Sequence, residues 1–423
     1  MQYNKTILPN GLRLITIPMK ESPTVTMLVM VEAGSKYEIK DKSGISHFLE
    51  HMCFKGTDKR PRSIDISREL DGIGAHYNAF TGEEYTGYYA KSHPDYVEKI
   101  IDVVSDLYLN PIFRDEEVER EKGVIVEEIN MYNDLPQRHV GEKFMTLLYG
   151  DQPAGWGIAG TADTVTKMTK EDFAEYRRTH YLSSASTVIV AGNFNEEAIK
   201  NKIEGVFAAM PSGEKASKLV VQESQTSPAI VVEKRDIDQV HMIIGVRTFG
   251  VNDKRTPVLR VLNAVLGGGM SGRLFQRMRE ELGICYYVHS SNNPFTDHGF
   301  LDISAGVDKN RVQEAVGAII AEMKKFVIEK VSEAELQKAK DFLVGNMYLG
   351  LESSDSIAEW FAHQEIMHRP LRTAEEVTAE IRKVTAEDIQ NVAHEIFKDE
   401  GLNMAVVGKA EEGEITSLLT FGK

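Results

Sequence analysis

The sequence predicts an α+β protein of two tandem homologous domains, each a mostly antiparallel sheet with helices packed on one face. Three observations predict it: a repeat at a fixed offset, a polar join between the copies, and strand-like and helix-like segments that follow no strict βαβ rhythm. The repeat lies at a spacing of 216 residues. Gly34 matches Gly250 (250 − 34 = 216), and Asn130-Met131-Tyr132 matches Asn346-Met347-Tyr348. Lys167, Thr169, Glu171 and Asp172 match Lys383, Thr385, Glu387 and Asp388, and Val190 and Gly192 match Val406 and Gly408. The offset never slips. The join is Pro211 to Lys218, whose single apolar residue is Ala216, a linker composition. The expected domains are 1–212 and 219–423. With 423 residues the chain also exceeds what one ordinary core serves.

Each copy reads in the same order. An apolar strand opens it (Val25 to Val31; Met242 to Val246), and a helix follows (Ser46 to Lys55; Pro257 to Val265). Thr86 to Ala90 alternates as a further strand. Asp115 to Met131 is the clearest amphipathic helix. Thr169 and Thr385 each open a helix as N-cap with acidic residues in the first turn. A final strand closes each copy (Thr187 to Ala191; Asn403 to Val407). Gly267-Gly268-Gly269 lacks the Lys-Ser/Thr of a phosphate-binding loop and reads as a turn or helix end.

Bulk properties exclude several function classes. The composition, 42% hydrophobic and 27% charged, is that of a globular protein. Apolar runs are strand-sized, well short of the roughly 18 residues needed to span a bilayer. The N-terminus has neither the basic-then-apolar pattern of a signal peptide nor the Arg/Ser richness of a transit peptide, so a cytoplasmic protein is expected. The net charge of −15 leaves no basic surplus for nucleic acid. Two cysteines, Cys53 and Cys285, imply no disulfide framework.

The sharpest signal is His47-Phe48-Leu49-Glu50-His51. On a helix the two histidines stand one turn apart on one face, so both imidazoles can reach one ion. Glu50 projects toward the same space, where a carboxylate can take a proton from a metal-bound water. The competing reading is a histidine pair on a solvated face. A third ligand has to come from elsewhere, and the helix from Asp115 offers six glutamates. Glu121 and Glu128 are two turns apart and share a face, whereas Glu127 is rotated off it. Glu128 follows Gly123-Val124-Ile125-Val126, a stretch apolar enough to be expected buried, and a carboxylate there needs a partner. Glu121 then suits an orienting role behind a ligand. Adding 216 to His47, Glu50, His51, Glu121 and Glu128 gives Asn263, Leu266, Gly267, Gln337 and Val344. The second copy has lost the whole set, which points to one site in the first copy.

With these residues the sequence resembles the inverzincin zinc peptidases, the family of pitrilysin, insulin-degrading enzyme and the mitochondrial processing peptidase. The likeness spans both copies. The family's motif is H-x-x-E-H, then 69 residues, E, six residues, E. Here 121 − 51 − 1 = 69 and 128 − 121 − 1 = 6. The resemblance implies one Zn2+ per chain on His47, His51 and Glu128, with Glu50 as general base and Glu121 behind the ligands. It implies a clamshell in which the second domain closes over the substrate. Asn78, Ala79, Phe80 and Thr81, ahead of Thr86 to Ala90, resemble the family's substrate-holding edge strand; read alone they are an ordinary hairpin. Arg279 and Tyr286 resemble the family's pair that reaches the substrate backbone, Tyr286 toward the oxyanion. Read alone, Arg279 is a solvated helix residue. The implied function is hydrolysis of extended peptides by a homodimer, or by a heterodimer with an inactive relative. The alternative is a non-catalytic assembly subunit.

Overall fold

The computed structural model describes residues 2–422. The first half of the chain forms β1 (Asn4–Ile7), β2 (Arg13–Pro18), β3 (Val25–Val31), α1 (Ile45–Cys53), α2 (Ser63–Asp71) and the hairpin β4 (His76–Thr81) and β5 (Thr86–Ser92). It continues through α3 (Val97–Leu109), α4 (Asp115–Asp134), α5 (Pro136–Tyr149), α6 (Ala162–Lys167), α7 (Lys170–His180), β6 (Ser186–Gly192) and α8 (Glu196–Phe207). The second half forms β7 (Ala229–Glu233), β8 (Gln239–Thr248), α9 (Thr256–Gly267), β9 (Cys285–Pro294), β10 (Gly299–Asp308), α10 (Val312–Ile328) and α11 (Glu333–Leu349). It ends with α12 (Ser354–Ile366), α13 (Ala374–Lys383), α14 (Ala386–Ile396), β11 (Leu402–Val407) and α15 (Glu412–Ile415).

Two sheets result, ordered β1-β2-β6-β3-β5-β4 and β7-β11-β8-β10-β9. Without β1 the two orders are the same. Each has one parallel pair, β2 with β6 and β7 with β11, and is otherwise antiparallel. The duplication holds in register. Adding 216 to β2 gives 229–234, where β7 begins, and adding it to α7 gives 386–396, the span of α14. Thr169 and Thr385 both close a capping box with the aspartate three residues on. Segment 211–218 carries no helix or strand, and α9 ends at Gly267.

Contacts divide the chain into two compact units. The first comprises Met1–Ile129, Trp156–Leu219 and Leu349–Thr373; the second comprises Asn130–Gly155, Val220–Tyr348 and Ala374–Lys423. Each unit therefore takes one helix from the other half of the sequence, α12 for the first and α5 for the second. The strands explain why. β3 is buried at all seven positions, so its sheet must be covered on both faces. Val25, Met27, Val29 and Val31 face a core built with α1 and α3. Thr26 points the opposite way and shares a hydrogen bond of 2.8 Å with Ser354 of α12. Thr24 bonds the same hydroxyl at 2.8 Å, and Lys91 pairs with Asp355 at 2.7 Å.

In the second unit α5 lies on β7, β8 and β11. Val140, Phe144, Leu148 and Tyr149 of the helix bury against Ile243, Phe300, Ala405 and Val407. A Cβ on Gly245 would stand 2.7 Å from the Phe144 ring, so the close approach of helix to strand needs glycine there. His139 and Lys143 both meet Glu233 of β7 at 2.9 Å. Phe144 is 1% exposed. Phe144→Ala should cost about 3–5 kcal/mol of stability, read as a lower urea midpoint of the second unit. An unchanged midpoint would mean α5 contributes little to covering that sheet.

Candidate metal centre

Helix α1 has two faces of different chemistry. Phe48, Leu49, Met52 and Cys53 are fully buried, and Phe48 packs edge-on against Phe173 with ring centres 4.7 Å apart. This leaves His47, Glu50 and His51 on the other side, partly exposed. The start of the helix is fixed by Glu38. Its Oε2 accepts the Gly44 N–H at 2.7 Å and its Oε1 accepts the Ser46 N–H at 2.8 Å. These donors have no partner inside the helix, and an acceptor carboxylate there also suits the helix dipole. Gly44 sits at φ 94, with the carbonyl of Ala159 2.5 Å from where a Cβ would be, so the turn into the helix admits glycine only.

Helix α4 brings the third group. Its buried residues are Val118, Glu121 and Ile125, and Glu128 continues that stripe one turn further. The structure corrects one expectation here. Gly123 and Val124 are exposed and only Ile125 of the apolar stretch is buried, because the core-facing line runs diagonally along the helix rather than through consecutive residues. Glu128 is partly exposed, and Glu127 faces solvent.

His47, His51 and Glu128 converge: one ligand atom of each lies within 4.8 Å of the others. The Nε2 atoms of His47 and His51 stand 3.7 and 3.6 Å from Glu128 Oε2. Those separations are too long for hydrogen bonds. They approach the roughly 3.4 Å expected between ligand atoms around a tetrahedral ion with bonds of about 2.1 Å. His47 Nδ1 is buried with no hydrogen-bond partner among the described residues. Two imidazoles and a carboxylate are the three-residue donor set of a catalytic zinc site, in which water or substrate takes the fourth position. The residues present therefore fit the metal. Among the described residues this is the only such group.

Electrostatics support the same protonation states. Burial, and then the neighbouring His51, push the His47 pKa down to about 4 against the pull of Glu128, so the ring is neutral at pH 7, the form that ligates. His51 Nδ1 lies 2.8 Å from Glu121 Oε1, and Lys55 holds the other carboxylate oxygen at 2.6 Å. Burial raises the Glu121 pKa, but hydrogen bonds from His51 and Lys55 outweigh it and the net shift is downward. An ionised Glu121 accepts a hydrogen bond from the His51 Nδ1–H, which leaves the Nε2 lone pair turned toward Glu128. Glu50 is raised by burial and by Glu128, against Thr81 and His51. Thr81 Oγ1 donates to Glu50 Oε2 at 2.5 Å.

The other predicted residues fall as follows. Asn78, Ala79, Phe80 and Thr81 lie in β4, at the edge of the first sheet and paired only with β5. Arg279 and Tyr286 lie in the second unit. Arg279 sits in a wide helical turn, Phe275–Glu281, and donates to the carbonyls of Cys285 and Tyr286, while Tyr286 of β9 is exposed. The counterparts of the metal cluster are in place without its chemistry: Asn263 bonds the Ser290 backbone and Leu266 is fully buried. Sequence reasoning missed Glu38, Lys55 and the Thr81 hydroxyl. Only Lys55, four residues past His51, carries a spacing signal.

Comparison with known proteins decides the family. Residues 13–162 match the family model described as Insulinase (Peptidase family M16), and residues 167–343 match the one described as Peptidase M16 inactive domain. An uncharacterized zinc protease of Rickettsia felis is 34% identical over 93% of this chain and 95% of its own length. The uncharacterized zinc protease YmxG of Bacillus subtilis is 32% identical over 92% and 95%. The chain belongs to peptidase family M16. Its M16 relatives are named zinc proteases, and the whole metal cluster falls inside the insulinase match. The M16 fold is also that of a Helicobacter pylori protease, with a TM-score of 0.89 and 22% identity over 96% of this chain and 99% of that one. A chain of complex III2 from Candida albicans shares it, with a TM-score of 0.85 and 17% identity over 98% and 99%. No helix among the described residues is long and apolar enough to cross a membrane.

Burial holds the Glu38 pKa up, from 4.5 to about 7, against the two backbone hydrogen bonds. A raised pKa means that the folded state holds this proton more tightly than the unfolded chain. The stability it contributes is full below about pH 4.5 and lost as pH rises through about 7. The melting-temperature advantage of wild type over Glu38→Gln should therefore shrink between pH 5 and pH 8. A difference that is constant across that range would refute the raised pKa.

Proposed function

We propose that this M16 protein is a zinc metallopeptidase that hydrolyses extended or unstructured peptides. The observation that carries the reading is the convergence of His47, His51 and Glu128, with Glu50 beside them on the same helix face. His47, His51 and Glu128 would hold one zinc per chain. Zinc, when bound, supplies a Lewis acid for the scissile carbonyl and makes water more acidic. Glu50 takes a proton from the attacking water as its oxygen adds to the carbonyl carbon. The same proton passes to the nitrogen as the C–N bond breaks. Glu121 keeps His51 in the ligating tautomer.

The outer edge of β4 has no neighbouring strand, so an extended peptide can pair with its backbone largely irrespective of side chains, displacing Asn78 Oδ1 from the Ala79 N–H that it accepts at 2.9 Å. Arg279 and Tyr286 are retained as candidates for contacts to the substrate backbone. The proposed assembly is a homodimer with one zinc per chain; a heterodimer with an inactive relative is the alternative. A non-catalytic assembly subunit explains less well why Glu50 is present, since binding a metal or a peptide needs no base.

The test is digestion of a mixed library of unstructured peptides, read by mass spectrometry. Wild type should cleave, and cleavage should vanish both with a chelator and in Glu50→Gln, whose zinc content should match wild type. Cleavage by Glu50→Gln would remove the base assignment, and cleavage unaffected by chelator would remove the metal. Glu128→Gln should lower zinc stoichiometry measured by elemental analysis, because an amide is a far weaker ligand than a carboxylate. Full occupancy in that variant would point to a different third ligand.

A further inference from the structure

The sequence places Thr81 among residues that contact substrate, yet in the structure its hydroxyl is already committed. Oγ1 donates to Glu50 Oε2 at 2.5 Å, and among the described residues Thr81 is the only hydrogen-bond partner of Glu50. Strand alternation explains the direction. Tyr77 and Ala79 pack toward the core that includes α1, and Thr81 shares their face. We propose that Thr81 is a positioning residue for catalysis, and that through it the strand that receives the peptide also sets the orientation of the general base. The inference rests on the peptidase reading above.

Three observations make Thr81 the fixed partner and Glu50 the adjustable one. Threonine is β-branched and stiff at χ1, whereas glutamate has three soft torsions. The turn after β4 is pinned by backbone: Ser35 N–H donates to Gly82 O at 3.3 Å and Lys36 N–H to Glu83 O at 2.8 Å. Gly34 permits that approach, because a Cβ there would be 2.4 Å from Gly82 O. The strand itself is anchored by Phe80, whose ring covers Gly87 so closely that a Cβ on Gly87 would stand 2.3 Å away. A hydroxyl held in this way takes one oxygen of Glu50 and leaves Oε1 to accept a proton from water. Its hydrogen is spent on Glu50, so it has none to donate to a peptide.

The role separates from metal binding, since the Thr81 hydroxyl bonds Glu50 and neither histidine nor Glu128. The test uses the full-length zinc-loaded protein and a peptide that wild type cleaves, with Thr81→Val, Thr81→Ala and Thr81→Ser compared for kcat, KM and zinc content. Thr81→Val and Thr81→Ala should each lower kcat about tenfold or more, a fraction of the 10²–10⁴ that a general base supplies. KM should stay within about twofold and zinc content should not change, the pattern of an interaction used only in the transition state. Thr81→Ser, which keeps the hydroxyl, should restore kcat to within about threefold of wild type; Thr81→Ala carries the comparison if Thr81→Val does not fold. A change in KM alone would assign Thr81 to substrate binding instead. Equal losses in Thr81→Ser and Thr81→Val would make the methyl group, and so packing, the cause. Either result overturns the proposal while wild type remains an active peptidase. Wild type that cleaves no peptide removes the peptidase reading and this role together.

Discussion

Two histidines one turn apart can share an ion only if their helix cannot roll, and the protein prevents α1 from rolling in two ways. One side is sealed by Phe48, Leu49, Met52 and Cys53, all without solvent exposure. Burying each larger apolar side chain is worth about 1.5–3 kcal/mol, so rotating the helix by half a turn would forfeit several of them at once. The start of the helix is tied to Glu38, a carboxylate that touches none of the chemistry. From that fixed axis the rest follows: His47 and His51 point toward α4, and Glu50 reaches β4. α4 needs only to continue its own buried stripe by one turn to deliver Glu128.

Much of this was legible in the sequence because it is periodic or spaced. The offset of 216 residues carried from matching letters to matching strands and helices, and the shared face of Glu121 and Glu128 followed from helix geometry alone. The misreading of Val124 has the same root. A run of apolar letters suggests burial, but on a helix burial follows every third or fourth residue, and Val124 lies off that line. Glu38 left no trace because it stands in an irregular segment six residues before the glycine it caps. The Thr81 hydroxyl was assigned by resemblance to a motif, which gives a place in a strand but not the partner of a side chain. The traded helices were hidden for a different reason. An amphipathic helix announces that it will be covered, not which sheet will cover it.

The two units show what a fold keeps when its chemistry goes. The second retains the strand order, the helix register and even a threonine capping box at the equivalent place. Where the first has Glu50 and His51 the second has Leu266 and Gly267, and Leu266 is buried completely. Converging carboxylates and imidazoles are costly to hold without a cation between them. Losing them as a set relieves the second unit of that cost.

The helix trade has a consequence for the order of folding. The chain passes between units at 129/130, 155/156, 219/220, 348/349 and 373/374. The first sheet is covered only once α12 has been made, long after its last strand, β6. A chain still being synthesised therefore carries an uncovered sheet face until most of the second unit has been made.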